Sequence, residues 1–304
     1  VSTTEQKTSI SADQPSAGDG SEGLTLRRRK RWYHRLLRNP SALIGVIILV
    51  LVAILAIVAP FLWPNPNTQS LIEARKPPGS PDHLLGTDDL GRDMLARMAW
   101  GAQVPLIVSL AAVFISGTLG VALGLLSGYY RGFLDDVIGW LANVQLAFPF
   151  ILLSIAVVAV IGPGILTLIL VIGFTSWVVY SRVVRGETLA LREKEFVEAS
   201  RAIGVRTSRI LLRHILPNVM TSLTVIATFE VARIIILESA LSFLGLGVDS
   251  KTPSWGEMLA RGKQQISVAW WMPTFPGIAI MLTVLAVNLV GDWLREEFDP
   301  RLQV

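Results

Sequence analysis

The chain has 304 residues, of which 52% are hydrophobic and only 16% are charged. A soluble domain carries about a quarter charged residues, so this composition excludes an ordinary water-soluble globule and puts much of the surface against lipid. The absence of cysteine excludes a disulfide framework and any thiolate metal site, and basic residues that flank apolar runs, at a net charge of +4, do not describe a nucleic-acid binder.

Residues 1–26 are rich in Ser, Thr, Gly, Asp and Glu and poor in large apolar side chains. They cannot bury enough surface to fold and read as a disordered polar tail. RRRKRWYHRLLR, residues 27–38, follows with seven Lys or Arg and no acid. Residues 1–38 are therefore expected to be a polar tail plus a basic segment at the membrane. The apolar run Ser41–Trp63 exceeds the roughly 7–15 residues of a signal-peptide core and is long enough to cross a bilayer. It reads as a retained first span over about 41–62, forming with its outer segment a unit of 39–101.

That outer segment, 64–101, carries five acids and four bases. Thr87-Asp88-Asp89 and Gly91 offer turn and capping chemistry. Met94, Leu95 and Met98 predict a short helix along the membrane. Residues 102–304 make the rest: five further spans at about 103–129, 137–161, 165–181, 218–242 and 274–292, around a charged loop at 182–217. All these runs are continuously apolar, which excludes a β-barrel. The fold class is all-α, a polytopic membrane protein with six transmembrane helices.

Within the second span, Gly117, Gly120, Gly124 and Gly128 recur at one-turn spacing and predict close helix packing, inside the chain or against a partner. Pro149 is expected to kink the third span. Gly162-Pro163-Gly164 breaks the apolar block between the third and fourth spans. In the fifth span Glu230 and Arg233 stand three apart on one helix face, either as an internal ion pair or as a lining of a translocation path. Glu238, near the outer end, is a third candidate for that path, within reach of water. Residues 244–273 should fold back over the outer mouth, partly as a helix from about Trp255 to Gly262. Phe61, Trp63, Trp100, Trp255, Trp270 and Trp271 read as interfacial anchors.

The loop has its own architecture. Phe196, Ala199 or Ser200, and Ile203 recur at helical spacing over about 195–203. Gly204 suits the helix C-terminus, because it takes positive φ without strain. Thr207 or Ser208 is placed to cap a second helix whose buried face is Ile210, Leu211, Ile215 and Leu216. Pro217 is expected to stop that helix from running into the fifth span. An amphipathic hairpin on anionic headgroups and a protein-docking knob both fit; Glu198 and the glycine turn favour docking.

Lys and Arg in the loops decide orientation. Eighteen fall on the side that holds both termini and 182–213, and seven on the other. The first side is read as cytoplasmic. The sequence has no G-x-x-x-x-G-K-[ST], hence no P-loop for ATP. His34, His83 and His214 lie far apart in loops, without the spacing of a metal site, and no cofactor is expected on this chain.

Glu198-Ala199-Ser200-Arg201-Ala202-Ile203-Gly204, followed after ten residues by Ile215-Leu216-Pro217, resembles the EAA loop of binding-protein-dependent ABC importer permeases, with Ser200 where Ala is common. HLLGTDDLGRDMLARMAWGAQVPL (83–106), ILESALSFLGLGV (236–248), PSWGEML (253–259) and GDWLREEFDPR (291–301) resemble the dipeptide and oligopeptide permeases, in particular their C subunit. The resemblance implies the type I ABC importer permease fold, a homologous second permease subunit, two ATP-binding subunits holding ATP and Mg, and an extracytoplasmic substrate-binding protein. It implies that Phe196, Glu198, Ala199, Ser200, Ile203, Gly204 and Pro217 form the coupling loop for the ATPase. Nickel and glutathione importers share these signatures, and the same machine carrying nickel, glutathione or haem is the alternative. An ion-driven secondary transporter or a lipid-binding scaffold is the alternative of another class.

Overall fold

A computed structural model describes residues 36–249 and 251–298; the polar tail and most of the basic segment expected over 1–38, His34 and Arg301 lie outside the described residues. Eleven helices of eight or more residues carry the described fold, with short irregular connections and no strand among the described residues. α1 runs Pro40–Leu62, α2 Met94–Gly101, α3 Gln103–Tyr130, α4 Phe133–Ala147, α5 Phe150–Ile161 and α6 Ile165–Thr175. α7 runs Trp177–Arg192, α8 Glu195–Ala202, α9 Leu216–Phe243, α10 Trp255–Gln264 and α11 Trp271–Phe298.

Five helical runs are long and apolar enough to cross a membrane, and six if the bent pair α4–α5 counts as one span. The bend between them is 87°. Pro149 stands at the N-cap of α5 with Phe148 extended, so the expected kink is a sharp corner. Proline supplies no N–H and pushes the preceding residue out of the helical region. The second span closely matches α3. The fourth runs on through Ser176, which keeps helical backbone angles, to Arg192.

α3 and α7 form the central seam. A Cβ on Gly120 would stand 2.5 Å from the Trp177 carbonyl oxygen, one on Gly124 2.7 Å from that of Ser181, and one on Gly128 2.8 Å from that of Arg185. The glycine row is therefore a backbone-to-backbone contact inside this chain. α1 packs on α11 in the same way: a Cβ on Gly45 would lie 2.8 Å from the Ala286 carbonyl oxygen. The opposite face of α1, with Ile47, Leu51 and Ile54, is exposed. Without lipid these side chains would cost burial energy; in a bilayer they need no protein partner.

At one end of the bundle the segment 64–93 and α10 form a compact cap. Trp255 and Trp271 are not interfacial anchors: both are buried. The Trp255 indole donates to the Met98 carbonyl at 2.9 Å, and that of Trp271 to the Thr87 carbonyl at 3.1 Å. Trp100 likewise donates to the Trp63 carbonyl at 2.8 Å. An indole has one polar atom and a large apolar body, so a buried carbonyl satisfies it as well as an interface does. Phe61 and Trp270 remain exposed, as anchors should. α10 starts on Ser254, whose hydroxyl accepts from the Glu257 N–H at 3.1 Å. α2 starts on Asp93, which accepts from the Ala96 N–H at 2.8 Å. α2 does not stand apart as a separate helix; the helical backbone continues through Ala102 into α3.

Candidate functional site

The loop at the other end of the bundle is a small, well-tied structure. α8 is eight residues long, and its N-terminal turn carries Glu195 and Glu198, whose charge suits the helix dipole. It ends at a turn in which the Gly204 N–H donates to the Arg201 carbonyl at 2.9 Å and the Val205 N–H to the Ser200 carbonyl at 3.0 Å. Gly204 has φ of 76°, the left-handed conformation expected of it.

The two faces of α8 differ. Val197 and Ser200 point inwards and are buried. Val197 joins a cluster with Leu125, Tyr129, Tyr180, Val184, Ile210, Leu211, Ile215, Val219 and Leu223. The Ser200 hydroxyl donates to the Phe196 carbonyl at 2.7 Å. Among the expected coupling residues, Ser200 therefore supports the knob from within. Phe196, Glu198, Ala199, Ile203 and Gly204 face outwards. Ile203 is 80% exposed and Phe196 43%.

The second half of the loop departs from expectation. Neither Thr207 nor Ser208 caps it; the N-cap is Arg206, without a side-chain bond. Pro217 does not break the run. Thr207–Phe243 is helical throughout, one α turn followed by a π segment over Ile210–Ile215 and then α9. The Leu216 N–H reaches back five residues to the Leu211 carbonyl. Wider π winding keeps the helix continuous where proline cannot donate and where its ring would crowd the carbonyl four residues back. The knob helix α8 is thus joined through the Gly204 turn, residues 203–206, to a helix that runs on into α9, and on the other side to α7 through Glu193 and Lys194.

Polar ties fix α7 and α8 to the end of α3. Arg185 grips Asp135 with both carboxylate oxygens, at 2.5 and 2.6 Å, and the Ser127 hydroxyl donates to the same carboxylate at 2.5 Å. Arg131 pairs with Glu193 at 2.8 Å in the open. Arg201 donates to the Tyr129 hydroxyl at 3.1 Å, and Arg192 to the Tyr129 carbonyl.

The intramembrane charges are elsewhere. Glu230 is buried and accepts from Arg233 Nη1 at 2.8 Å, while the Arg233 side chain is 46% exposed. The geometry is that of an ion pair on one face of α9. Glu238 is fully buried, with its carboxylate held by the Ser242 hydroxyl at 2.7 Å and the Ser239 hydroxyl at 3.3 Å. It is not within reach of water in this chain, because α10 covers it: Gly256 packs on the Ser239 carbonyl and the Ser242 side chain. None of the three lines the apolar groove beside α3. That groove, about 920 Å³ and almost wholly apolar, lies between α1, α3 and α9, beside Leu110, Phe114, Met220 and Thr224.

The cap at the other end of the bundle holds a charged network that the sequence does not reveal. Arg97 is 1% exposed and donates to Glu257 at 2.9 Å and Asn67 at 2.7 Å. Asp88, also buried, accepts from Arg92 Nε at 2.6 Å. Arg261 completes the set on Glu257. His83 bridges Asp93 at 2.8 Å and Glu73 at 3.2 Å. Its pKa is raised above the usual histidine value, first by the Asp93 hydrogen bond, and Glu73 is lowered by Lys76 and His83.

The described chain is a helical, multi-pass membrane protein with an ordered, charged knob at one end and a folded cap at the other, and its matches place it among transport permeases. Residues 120–304 match the family described as binding-protein-dependent transport system inner membrane component, and residues 28–78 match the N-terminal transmembrane domain of oligopeptide transport permease C. The oligopeptide transport system permease protein OppC of Bacillus subtilis is 38% identical over 292 residues, 95% of each chain. The di/tripeptide transport system permease protein DppC of Pseudomonas aeruginosa is 39% identical over 280 residues, 90% of this chain and 92% of its own. In fold the chain resembles the inward-facing MetNI methionine ABC transporter, with a TM-score of 0.55 and 18% identity over 68% of this chain and 98% of that one. The chain belongs to the binding-protein-dependent transport system inner membrane components, as a permease subunit with the type I ABC importer fold.

Proposed function

We propose that this chain is one of two homologous permease subunits of an ATP-driven importer that moves di- or oligopeptides into the cytoplasm by alternating access. The names of its relatives support the cargo class. Two separate ATP-binding subunits hold the ATP and Mg, and this chain holds no cofactor. An extracytoplasmic binding protein delivers peptide to the cap built from 64–101 and 244–273. The subunit sits in the inner membrane of a prokaryote with both termini in the cytoplasm, as the Lys and Arg distribution requires.

One observation carries the coupling role of the knob: its apolar outward face. Phe196, Ala199 and Ile203 stand in the open on a helix whose other face, Val197 and Ser200, is packed and satisfied. Exposed apolar side chains on an ordered element mark a contact surface. Moving a gate from mostly shut to mostly open takes about 5.5 kcal/mol of differential binding. One surface salt bridge gives about 0–1 kcal/mol, so a packed contact is required. Pro217 contributes by holding the π turn that joins the knob to α9.

The test is Gly204→Trp in the full transporter, reconstituted with its ATPases and binding protein. ATP hydrolysis should continue while peptide uptake falls by about tenfold, equivalent to about 1.4 kcal/mol of lost coupling. Full uptake in that variant would count against the knob, and retention of no nucleotide-binding chain on purification would count against the ATP-driven machine.

A further inference from the structure

Tyr129 is the penultimate residue of α3, and its ring is 8% exposed in the cluster beneath the knob. It touches the loop at two points 9 positions apart in sequence, Arg192 and Arg201. The Arg201 guanidinium carbon lies 4.8 Å from the ring centroid while its Nε donates to the Tyr129 hydroxyl at 3.1 Å. The Arg192 guanidinium carbon lies 5.8 Å from the same centroid, and its Nη1 donates to the Tyr129 carbonyl. Arg192 is the last residue of α7, and Arg201 is the residue whose carbonyl closes the Gly204 turn. Arg201 Nη2 is buried without a hydrogen-bond partner among the described residues, so Tyr129 is what holds this side chain. One residue before Tyr129, Gly128 locks α3 against Thr188 and the Arg185 carbonyl.

We infer that Tyr129 is a positioning residue for coupling: it is a point at which displacement of the knob enters α3, a helix that lines the apolar groove. The ring takes up Arg201 by a cation–π contact and a hydrogen bond, both directional, so the knob cannot tilt without carrying the end of α3 with it. The covalent route from the knob runs backward into α7 and forward into α9; onto α3 the knob helix packs Val197 in the apolar cluster with Leu125, and the Tyr129–Arg201 contact adds the directional polar tie. This inference rests on the knob being the ATPase-docking element.

The experiment measures peptide imported per ATP hydrolysed, in the complete transporter in proteoliposomes, with thermal stability of the assembly recorded alongside. Tyr129→Leu, assayed in assembled transporter well below its own melting temperature, should raise the ATP consumed per peptide by about fivefold, the size that losing the Arg201 cation–π contact and hydrogen bond allows. Tyr129→Phe, which keeps the ring and loses only the hydroxyl bond, should raise it by about twofold. Combining Tyr129→Leu with Arg201→Leu should be no worse than Tyr129→Leu alone, because Arg201→Leu removes a contact that Tyr129→Leu has already removed. A normal ratio in Tyr129→Phe and Tyr129→Leu, with Gly204→Trp uncoupled, overturns the inference and leaves the knob reading intact. A normal ratio in all three overturns the knob reading as well. If Tyr129→Leu fails to assemble, an unchanged ratio in Tyr129→Phe, or a raised one to which Arg201→Lys adds its own full loss, overturns the inference, and a raised ratio that adding Arg201→Lys does not raise further supports it.

Discussion

Single side chains in this protein are placed by pairing, and two of them give direct tests. Arg97 is buried against Glu257, Asn67 and Asp88. Removing one member of a buried charge set leaves the others uncompensated, which costs about 3–5 kcal/mol. Arg97→Met should therefore lower the melting temperature of the detergent-solubilised subunit, and a double variant with Glu257→Gln should recover part of the loss; an unchanged melting temperature would mean the network contributes nothing. His83 is the second. Bridged to Asp93 and Glu73, it has a raised pKa, so the folded cap binds its proton more tightly than the unfolded chain does. That stabilisation is complete below the ordinary histidine value of 6.5 and is lost as pH rises through the raised folded value. Glu73 acts in the opposite sense: its lowered pKa stabilises above the ordinary 4.5 and the contribution fades as pH falls through the folded value. An NMR titration of His83 should show a pKa above that of a free histidine, moving down in Asp93→Asn.

At the scale of elements, the glycine seam between α3 and α7 governs packing. A Cβ at Gly124 would meet the Ser181 carbonyl oxygen at 2.7 Å, whereas one at Gly139 on α4 meets nothing within 4 Å. Gly124→Ala should destabilise by about 1–3 kcal/mol through overpacking, while Gly139→Ala should be neutral or gain up to about 1 kcal/mol from helix propensity. Thermal unfolding of the two variants side by side checks this; equal effects would contradict the seam. The spans themselves were legible, because a run of about twenty apolar residues admits few other structures. Pro149 signalled a break but not its angle, since the 87° corner depends on what α5 packs against. Pro217 was misread as a stop: a proline near the start of a helix and a proline in a π-to-α junction look identical in sequence, and only the five-residue hydrogen bond distinguishes them.

For the molecule as a whole, long-range partners are what the sequence concealed. The fold class and the knob were readable from local patterns and from a family resemblance. The cap network was not: Arg97 and Glu257 are 160 positions apart, and each alone reads as an exposed charge. Trp255 and Trp271 took the anchor reading for the same reason, since their carbonyl acceptors lie 157 and 184 positions away. Tyr129 and Arg201 are 72 apart. Glu230, Arg233 and Glu238 were visible as costly charges, but their separation from the apolar groove is a fact of packing. These links tie the cap together at one end of the bundle and the knob to α3 at the other.

The protein has no cysteine, so a single one can be introduced without background. Ile203→Cys, with a cysteine on the groove of the ATPase subunit that receives the knob, should cross-link readily in the assembled transporter, and the yield should change on adding ATP. A cysteine at Ile203 that cross-links to no ATPase subunit under any nucleotide condition, in a transporter that still imports peptide, would contradict the account.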